Sequence, residues 1–145
     1  MDTKLPLNTP FVLLALALAG LGDVLYLSYY QYLNLIPSCA IGGCETVLTS
    51  VYSKFFGVPL SYIGIVFYAY LLCLAVLLII EPRSRALRLG AMVYTGIGLI
   101  LSIIFIFYIQ LTLIGAICMY CAISAAITLL AFCTAAWHWR VTRVY

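Results

Sequence analysis

Four long apolar segments constrain the fold of this chain more than any other feature. Each is long enough to cross a hydrocarbon core about 30 Å thick, which takes about 20 helical residues. We place them at residues 11–33, 60–80, 87–113 and 117–139. With 67% hydrophobic and only 8% charged residues, the chain has too few polar side chains to cover a soluble domain. The sequence therefore predicts an all-α integral membrane protein, with residues 1–145 forming one domain, a four-transmembrane-helix bundle.

The first apolar segment also has features of a signal peptide. Lys4 precedes it, and the small residues Ala17 and Ala19 before Gly20 could form a cleavage site. The apolar character continues to Ile36, well beyond that site. This continuity favours a retained helix.

The basic residues predict the orientation, because short cytoplasmic loops collect Lys and Arg. Six of the seven precede the first segment, lie between the second and third, or follow the fourth, and only Lys54 lies on the other side. We therefore expect cytoplasmic termini in the cell membrane, with residues 34–59 and 115–118 on the outer, periplasmic side. The basic residues are dispersed and form no basic face, so nothing indicates binding to nucleic acid.

Residues 34–59, the outer loop, contain two cysteines five positions apart. Cys39 and Cys44 flank Gly42 and Gly43, which can provide the tight turn that the short Cα separation of a disulfide requires. A disulfide in this loop is therefore feasible.

The part of the outer loop that follows Cys44 has helical periodicity. Val47, Leu48, Val51 and Phe55 share one face, with mostly polar residues opposite, and Gly57 ends the pattern. We expect a short amphipathic helix that lies at the membrane interface and covers the end of the bundle.

A Cys-x-x-Cys motif begins the fourth apolar segment. Cys118 and Cys121 are three positions apart, so they share one face of a helix, and the N–H groups of the first turn favour a thiolate there. Both lie on the predicted outer side, where disulfides persist. Cys73 and Cys133 fall within apolar segments and are expected to be inert thiols in the core of the bundle.

Four cysteines on one side of the membrane allow three interpretations. They could bind a structural zinc ion, form two static disulfides, or exchange disulfides and pass electrons to a molecule dissolved in the bilayer. Zinc usually stabilises small soluble modules, and a disulfide within Cys-x-x-Cys gains little by constraining the unfolded chain. The third interpretation, a relay of disulfide exchange, accounts for more features than the other two. We therefore expect no metal site.

A function from a different class depends on Asp23. This carboxyl group lies near the middle of the first apolar segment, where an ionisable side chain is costly. A small four-helix, proton-coupled transporter that uses Asp23 is therefore the alternative, although it leaves the paired cysteines unexplained. A buried, hydrogen-bonded carboxyl group is the simpler interpretation of Asp23 itself.

The order of these motifs resembles the vitamin K epoxide reductase family, and in particular its bacterial and archaeal members. The resemblance includes residues 43–50 (GCETVLTS), residues 56–59 (FGVP), Gly64 and residues 118–121 (CMYC). It covers essentially the whole chain. The position of the Cys-x-x-Cys motif after the third helix separates this family from another four-helix family that generates disulfides.

The resemblance implies a role for each cysteine. A reduced thioredoxin-like protein would attack Cys44, the released Cys39 would attack Cys118, and the freed Cys121 thiolate would reduce a bound quinone. Ser50 matches a family serine near the quinone, so Ser50, Phe56 and Cys121 are the residues expected to contact it. The implied activity is a membrane thiol-disulfide oxidoreductase that supports disulfide bond formation.

Two departures from the animal members bear on the substrate. Ala125 stands where those members have a tyrosine, and Leu60 aligns with an asparagine. We therefore expect a respiratory quinone of the ubiquinone or menaquinone type rather than vitamin K epoxide. Because the sequence ends at Tyr145, without the thioredoxin-like domain of many bacterial members, the thioredoxin-fold partner is expected to be a separate protein. A four-helix bundle can enclose its own site, so a monomer is expected.

Overall fold

The computed structural model describes residues 8–39 and 42–143, and these contain four helices long and apolar enough to cross a membrane. The elements in chain order are α1 (Asn8–Tyr32), α2 (Cys44–Leu48), a 3₁₀ turn (Val51–Ser53), β1 (Lys54–Phe55), β2 (Val58–Pro59), α3 (Leu60–Ile80), α4 (Arg85–Ile103), a π-helix (Ile104–Ile114) and α5 (Met119–Arg143). The four spans are α1, α3, α4 with its π-helical continuation, and α5. The predicted membrane bundle is confirmed. Lys4, used above to predict the orientation, lies outside the described residues.

Local signals explain where the third span begins and ends. The Ser84 hydroxyl accepts a hydrogen bond from the backbone N–H of Leu87 (3.4 Å), which caps the start of α4. Gly115 follows the π-helix with φ at +75°, a conformation that glycine adopts without steric cost. The span is therefore bounded at the two positions where the sequence supplies a cap and a glycine.

The core of the bundle is made by α1 packing against α3 and α5, and by α4 packing against α5. Leu13, Leu71 and Tyr68 are almost completely buried in it. Gly20 makes the close approach of α1 and α3 possible, because a Cβ atom there would overlap the Tyr68 ring. Since α1 supplies buried residues along its length, it is an integral part of the bundle.

The π-helix widens the last turns of the third span. Its wider hydrogen-bonding pattern ends at Gln110, whose backbone carbonyl accepts from the N–H groups of both Gly115 (2.7 Å) and Ala116 (3.1 Å). π-helical turns are uncommon and occur frequently at functional sites. Here the π-helix leads directly to the segment before Cys118.

The predicted amphipathic helix is shorter than expected. Helix α2 ends at Leu48, because Thr49 and Ser50 donate side-chain hydrogen bonds to the carbonyls of Glu45 (2.6 Å) and Val47 (2.7 Å) and the backbone then becomes extended. The chain continues through the 3₁₀ turn into the antiparallel pair β1–β2. Val47 is buried, but Val51 is 82% exposed, so the two do not share a buried face.

The arginines are grouped at the end of the bundle opposite the cysteine pairs. Arg88 donates to the Thr142 carbonyl (3.3 Å), and the Arg85 guanidinium lies 5.8 Å from the centre of the Trp139 ring. The two ends of the bundle therefore differ in chemistry, one basic and the other rich in thiols.

Candidate functional site

The loop cysteines are joined by a disulfide. Cys39 and Cys44 have their Cα atoms 6.0 Å apart, and Gly42 between them adopts a φ of +76°. Gly43 lies against the backbone of Ile117, where a Cβ atom would overlap the Ile117 carbonyl oxygen. The loop is thus held closely against the segment that leads into α5.

The Cys-x-x-Cys motif lies at the start of α5, as the sequence predicts. Cys118 precedes the first helical residue, and its carbonyl accepts from the N–H of Ala122 (3.0 Å). Its own N–H donates to the side-chain oxygen of Gln110 (3.2 Å). Cys118 and Cys121 are both free thiols, the first fully buried and the second half-buried.

The two cysteine pairs meet through Cys44 and Cys118. Their sulfur atoms are 3.7 Å apart, and both residues are fully buried in a small cluster with Val47. Cys39 packs against the edge of this cluster and is only half-buried. Cys44 is the loop sulfur in contact with Cys118 in this structure, whereas the resemblance implies attack by Cys39, so the order of exchange stays a prediction.

The environment of Cys118 favours its thiolate. The hydrogen bond donated by the Cys121 thiol lowers the pKa of the Cys118 thiol to about 7, although burial acts in the opposite direction. The backbone N–H groups of Cys121 and Tyr120, in the first turn of α5, lower it further. Cys118 therefore ionises more readily than an ordinary thiol, which favours nucleophilic attack on a disulfide.

A cavity of about 430 Å³ lies between all four spans, and Cys121 is part of its wall. The wall is predominantly apolar, with aromatic rings from Phe67 and Phe105. Its polar groups are contributed by Gln31, Ser53, Ser61, Ser102, Ser124 and Thr128. Its size and apolar walls suit a flat ring system with an apolar tail.

Two of the three residues predicted to contact a quinone do not line this cavity. The Ser50 hydroxyl donates to the Val47 carbonyl (2.7 Å), and Phe56 is 92% exposed at the turn between β1 and β2. Ser53 and Phe55 lie in the wall instead. Ser50 and Phe56 do not face this cavity because the chain leaves the helical path after Leu48, and their contact with a quinone stays a prediction.

Sequence reasoning missed the polar groups contributed by α1 and α3. Ser61 donates a hydrogen bond to the side-chain oxygen of Gln31, and both line the cavity beside Leu60. The Tyr68 hydroxyl hydrogen-bonds with those of Ser124 (2.8 Å) and Thr128 (3.1 Å). A polar residue such as Gln31 near the end of an apolar segment was the available signal, but its partner became evident only in three dimensions.

The other two cysteines lie apart from the Cys44–Cys118 contact, whereas Asp23 is close enough for its charge to raise the pKa of the Cys118 thiol. Cys73 and Cys133 are exposed on the outer surfaces of the helices that contain them, so the expectation that they lie in the core is wrong. Asp23 is half-buried, with one carboxylate oxygen lacking a partner among residues 8–39 and 42–143, and it does not line the cavity. Within the same ranges, no three metal-ligating side chains are grouped as a metal site would require.

Comparison with known proteins decides the family. Residues 11–136 match the vitamin K epoxide reductase family. The chain belongs to this family. Among curated proteins, it is 32% identical over 113 residues to the thiol-disulfide oxidoreductase LTO1 of Arabidopsis thaliana. That match covers 71% of this chain but 29% of LTO1, so the chain spans under a third of that relative. Membership of the vitamin K epoxide reductase family agrees with the four spans and with the position of the Cys-x-x-Cys motif after the third of them.

Proposed function

We propose that this protein is a membrane thiol-disulfide oxidoreductase that passes two electrons from a thioredoxin-like protein to a quinone. The contact between the Cys44 and Cys118 sulfur atoms carries the proposal, since it places the loop disulfide within reach of the Cys-x-x-Cys pair. Family membership and the similarity to LTO1 support the same chemistry.

The relay begins at Cys39, the more accessible sulfur of the loop disulfide. A partner thiolate attacks Cys39, the Cys39–Cys44 bond breaks, and its electron pair leaves on Cys44. The second partner thiol then resolves the mixed disulfide, which leaves the partner oxidised and the loop pair reduced. The partner in this proposal is a protein or domain of the thioredoxin fold.

The electrons next move to the Cys-x-x-Cys pair. The Cys44 thiolate attacks Cys118 of a Cys118–Cys121 disulfide, and the electron pair of the broken bond leaves on Cys121. Cys39 then attacks Cys44, which restores the loop disulfide and releases Cys118. The structure has a disulfide in the loop and free thiols at Cys118 and Cys121, which is the state expected at the end of this exchange.

The quinone would occupy the cavity beside Cys121. There it would accept two electrons and two protons as the Cys118–Cys121 disulfide forms again. Gln31 and Ser61 are the polar groups near Leu60 that could hydrogen-bond a quinone oxygen, since Leu60 itself cannot. A respiratory quinone of the ubiquinone or menaquinone type fits a wall without the tyrosine and asparagine of the animal members.

Trapping the intermediate disulfide tests the order of exchange. In Cys39→Ala/Cys121→Ala, Cys44 and Cys118 are the only thiols left in the relay, and we expect rapid disulfide formation between them under mild oxidation. The matched variant Cys44→Ala/Cys121→Ala leaves Cys39 and Cys118, and we expect at least tenfold slower cross-linking, measured by mass spectrometry of cysteine-containing peptides. Equal rates in the two variants would contradict the order proposed here.

Filling the cavity tests the quinone site. Ser102 lies in the cavity wall and is partly buried. We expect Ser102→Phe in lipid nanodiscs to reduce quinone turnover by at least tenfold, whereas the matched Ser102→Ala retains it, because only the larger side chain occupies the cavity. Turnover should require Cys118 and Cys121 but not Cys73 or Cys133. Normal turnover in a correctly folded Ser102→Phe would place the quinone elsewhere.

A further inference from the structure

Gln110 is the most deeply buried polar side chain near the thiols, with no exposed surface. It is the seventh residue of the π-helix, which begins at Ile104. Its backbone carbonyl accepts the N–H groups of Gly115 and Ala116, and its side-chain oxygen accepts the N–H of Cys118. Gln110 therefore holds the segment that turns from the third span into α5 at three points.

The orientation of the Gln110 side chain is determined by these contacts. Because the Cys118 N–H can only donate, the side-chain atom facing it must be the carbonyl oxygen Oε1. The nitrogen Nε2 then points the other way. It is buried and has no hydrogen-bond acceptor among the described residues, although the side chain lies within reach of the Cys121 thiol.

An unpaired buried N–H donor is costly in the folded state, at about 1–3 kcal/mol. The cost disappears if an acceptor forms nearby during the reaction. A neutral thiol is a weak acceptor, whereas a thiolate is a strong one. Cys121 is the sulfur beside Gln110 that the exchange converts to a thiolate.

We propose that Gln110 is a positioning residue of the Cys-x-x-Cys pair, holding the Cys118 backbone through Oε1 and donating a hydrogen bond from Nε2 to the Cys121 thiolate. This inference rests on the proposed relay. When Cys44 attacks Cys118, the Cys118–Cys121 bond breaks and its electron pair remains on Cys121. The Nε2–H group stabilises that leaving thiolate without transferring a proton, so the balance of the exchange is unchanged.

The test separates the two contacts of Gln110 with two variants. Gln110→Leu removes both without adding charge, whereas Gln110→Glu keeps an oxygen for the Cys118 N–H and replaces the Nε2 donor with a second oxygen, whose charge when ionised also opposes a thiolate at Cys121. Thr112→Val is the matched control, because Thr112 is exposed in the same π-helix and donates only to the Phe107 carbonyl (3.0 Å). Each substitution is placed in the Cys118→Ala background, so that ionisation of Cys121 is followed without its partner thiol.

The measurement is the rate of alkylation of Cys121 by iodoacetamide against pH, resolved by mass spectrometry on protein in nanodiscs. A charged hydrogen bond is worth at least one factor of ten in the ionisation equilibrium. We expect Gln110→Leu and Gln110→Glu to slow alkylation at neutral pH by about tenfold or more, with the midpoint moved to higher pH. The Thr112→Val variant should match the parent.

A second readout uses the intact Cys118–Cys121 pair. The proposed hydrogen bond stabilises Cys121 as the leaving thiolate when Cys118 is attacked, so the rate constant for reduction of this disulfide by dithiothreitol should fall about tenfold in Gln110→Glu. If Gln110→Leu does not fold, Gln110→Glu carries the test. An unchanged alkylation profile and an unchanged rate of reduction in a folded Gln110→Glu would overturn the proposal. Neither readout uses the partner or a quinone, so failure of the relay is recognised separately, as absence of turnover in the wild-type protein.

Discussion

At the scale of single residues, the reactivity of this protein depends on the different surroundings of its six cysteines. Cys118 is buried, hydrogen-bonded by Cys121 and located at a helix N-terminus, whereas Cys73 and Cys133 are exposed on helix surfaces. A thiolate is the reactive form, and only the first environment stabilises one. The sequence predicted which cysteines are reactive, because Cys-x-x-Cys spacing at the start of a helix by itself indicates a stabilised thiolate.

The pH dependence of Cys118 alkylation follows from its lowered pKa. With a pKa of about 7, the thiolate fraction and the rate should rise about tenfold per pH unit below pH 7 and level off above about pH 8. Cys121→Ala removes the largest stabilising hydrogen bond, so its midpoint should move to higher pH, towards that of an ordinary thiol. Alkylation resolved by mass spectrometry measures both. A midpoint that does not respond to Cys121→Ala would mean that another group stabilises the thiolate.

At the scale of elements, the outer loop and the start of α5 function as one unit. The contact of Gly43 with the Ile117 backbone determines how closely Cys44 approaches Cys118. Periodicity predicted a helix over much of this loop, and that prediction was wrong beyond Leu48. Hydrogen bonds from Thr49 and Ser50 to backbone carbonyls compete with continuation of the helix, an effect that hydrophobic spacing does not report.

Gly43→Ala should separate the two cysteine pairs. The added Cβ meets the Ile117 carbonyl, a backbone atom that cannot rotate away, so the loop must shift. We expect oxidation of the protein partner to fall by at least tenfold, while quinone reduction driven by a small dithiol that reaches Cys118 directly is retained. Gly22→Ala is the control, since a Cβ there meets nothing within 4 Å. Loss of both activities in Gly43→Ala would indicate misfolding rather than separation.

At the scale of the whole molecule, chemistry is divided between the two ends of the bundle. One end holds the arginines of the α3–α4 connection and of α5, and the other holds both cysteine pairs and the cavity. Electrons supplied at the thiol end would reach a lipid-soluble acceptor without crossing the bilayer. Such a division requires a fixed orientation in the membrane, which the distribution of basic residues predicts.

Labelling with a membrane-impermeant maleimide tests that orientation. Thr46 and Glu81 are both exposed and lie at opposite ends of the bundle. In a variant lacking all six native cysteines, we expect Thr46→Cys to react in intact cells and Glu81→Cys only after permeabilisation. The reverse pattern would place the termini outside and the cysteine pairs in the cytoplasm.

The sequence by itself determined the membrane class, the four spans, the family resemblance and the four cysteines of the proposed relay. These follow from local properties, namely the length of apolar segments, the spacing of thiols and the order of motifs. Only the tertiary structure decided that Cys44 rather than Cys39 contacts Cys118, that Ser53 and Phe55 replace Ser50 and Phe56 in the cavity wall, and that Gln110 faces the thiols. Each of these depends on how residues distant in the chain pack together, which no local pattern in one sequence records.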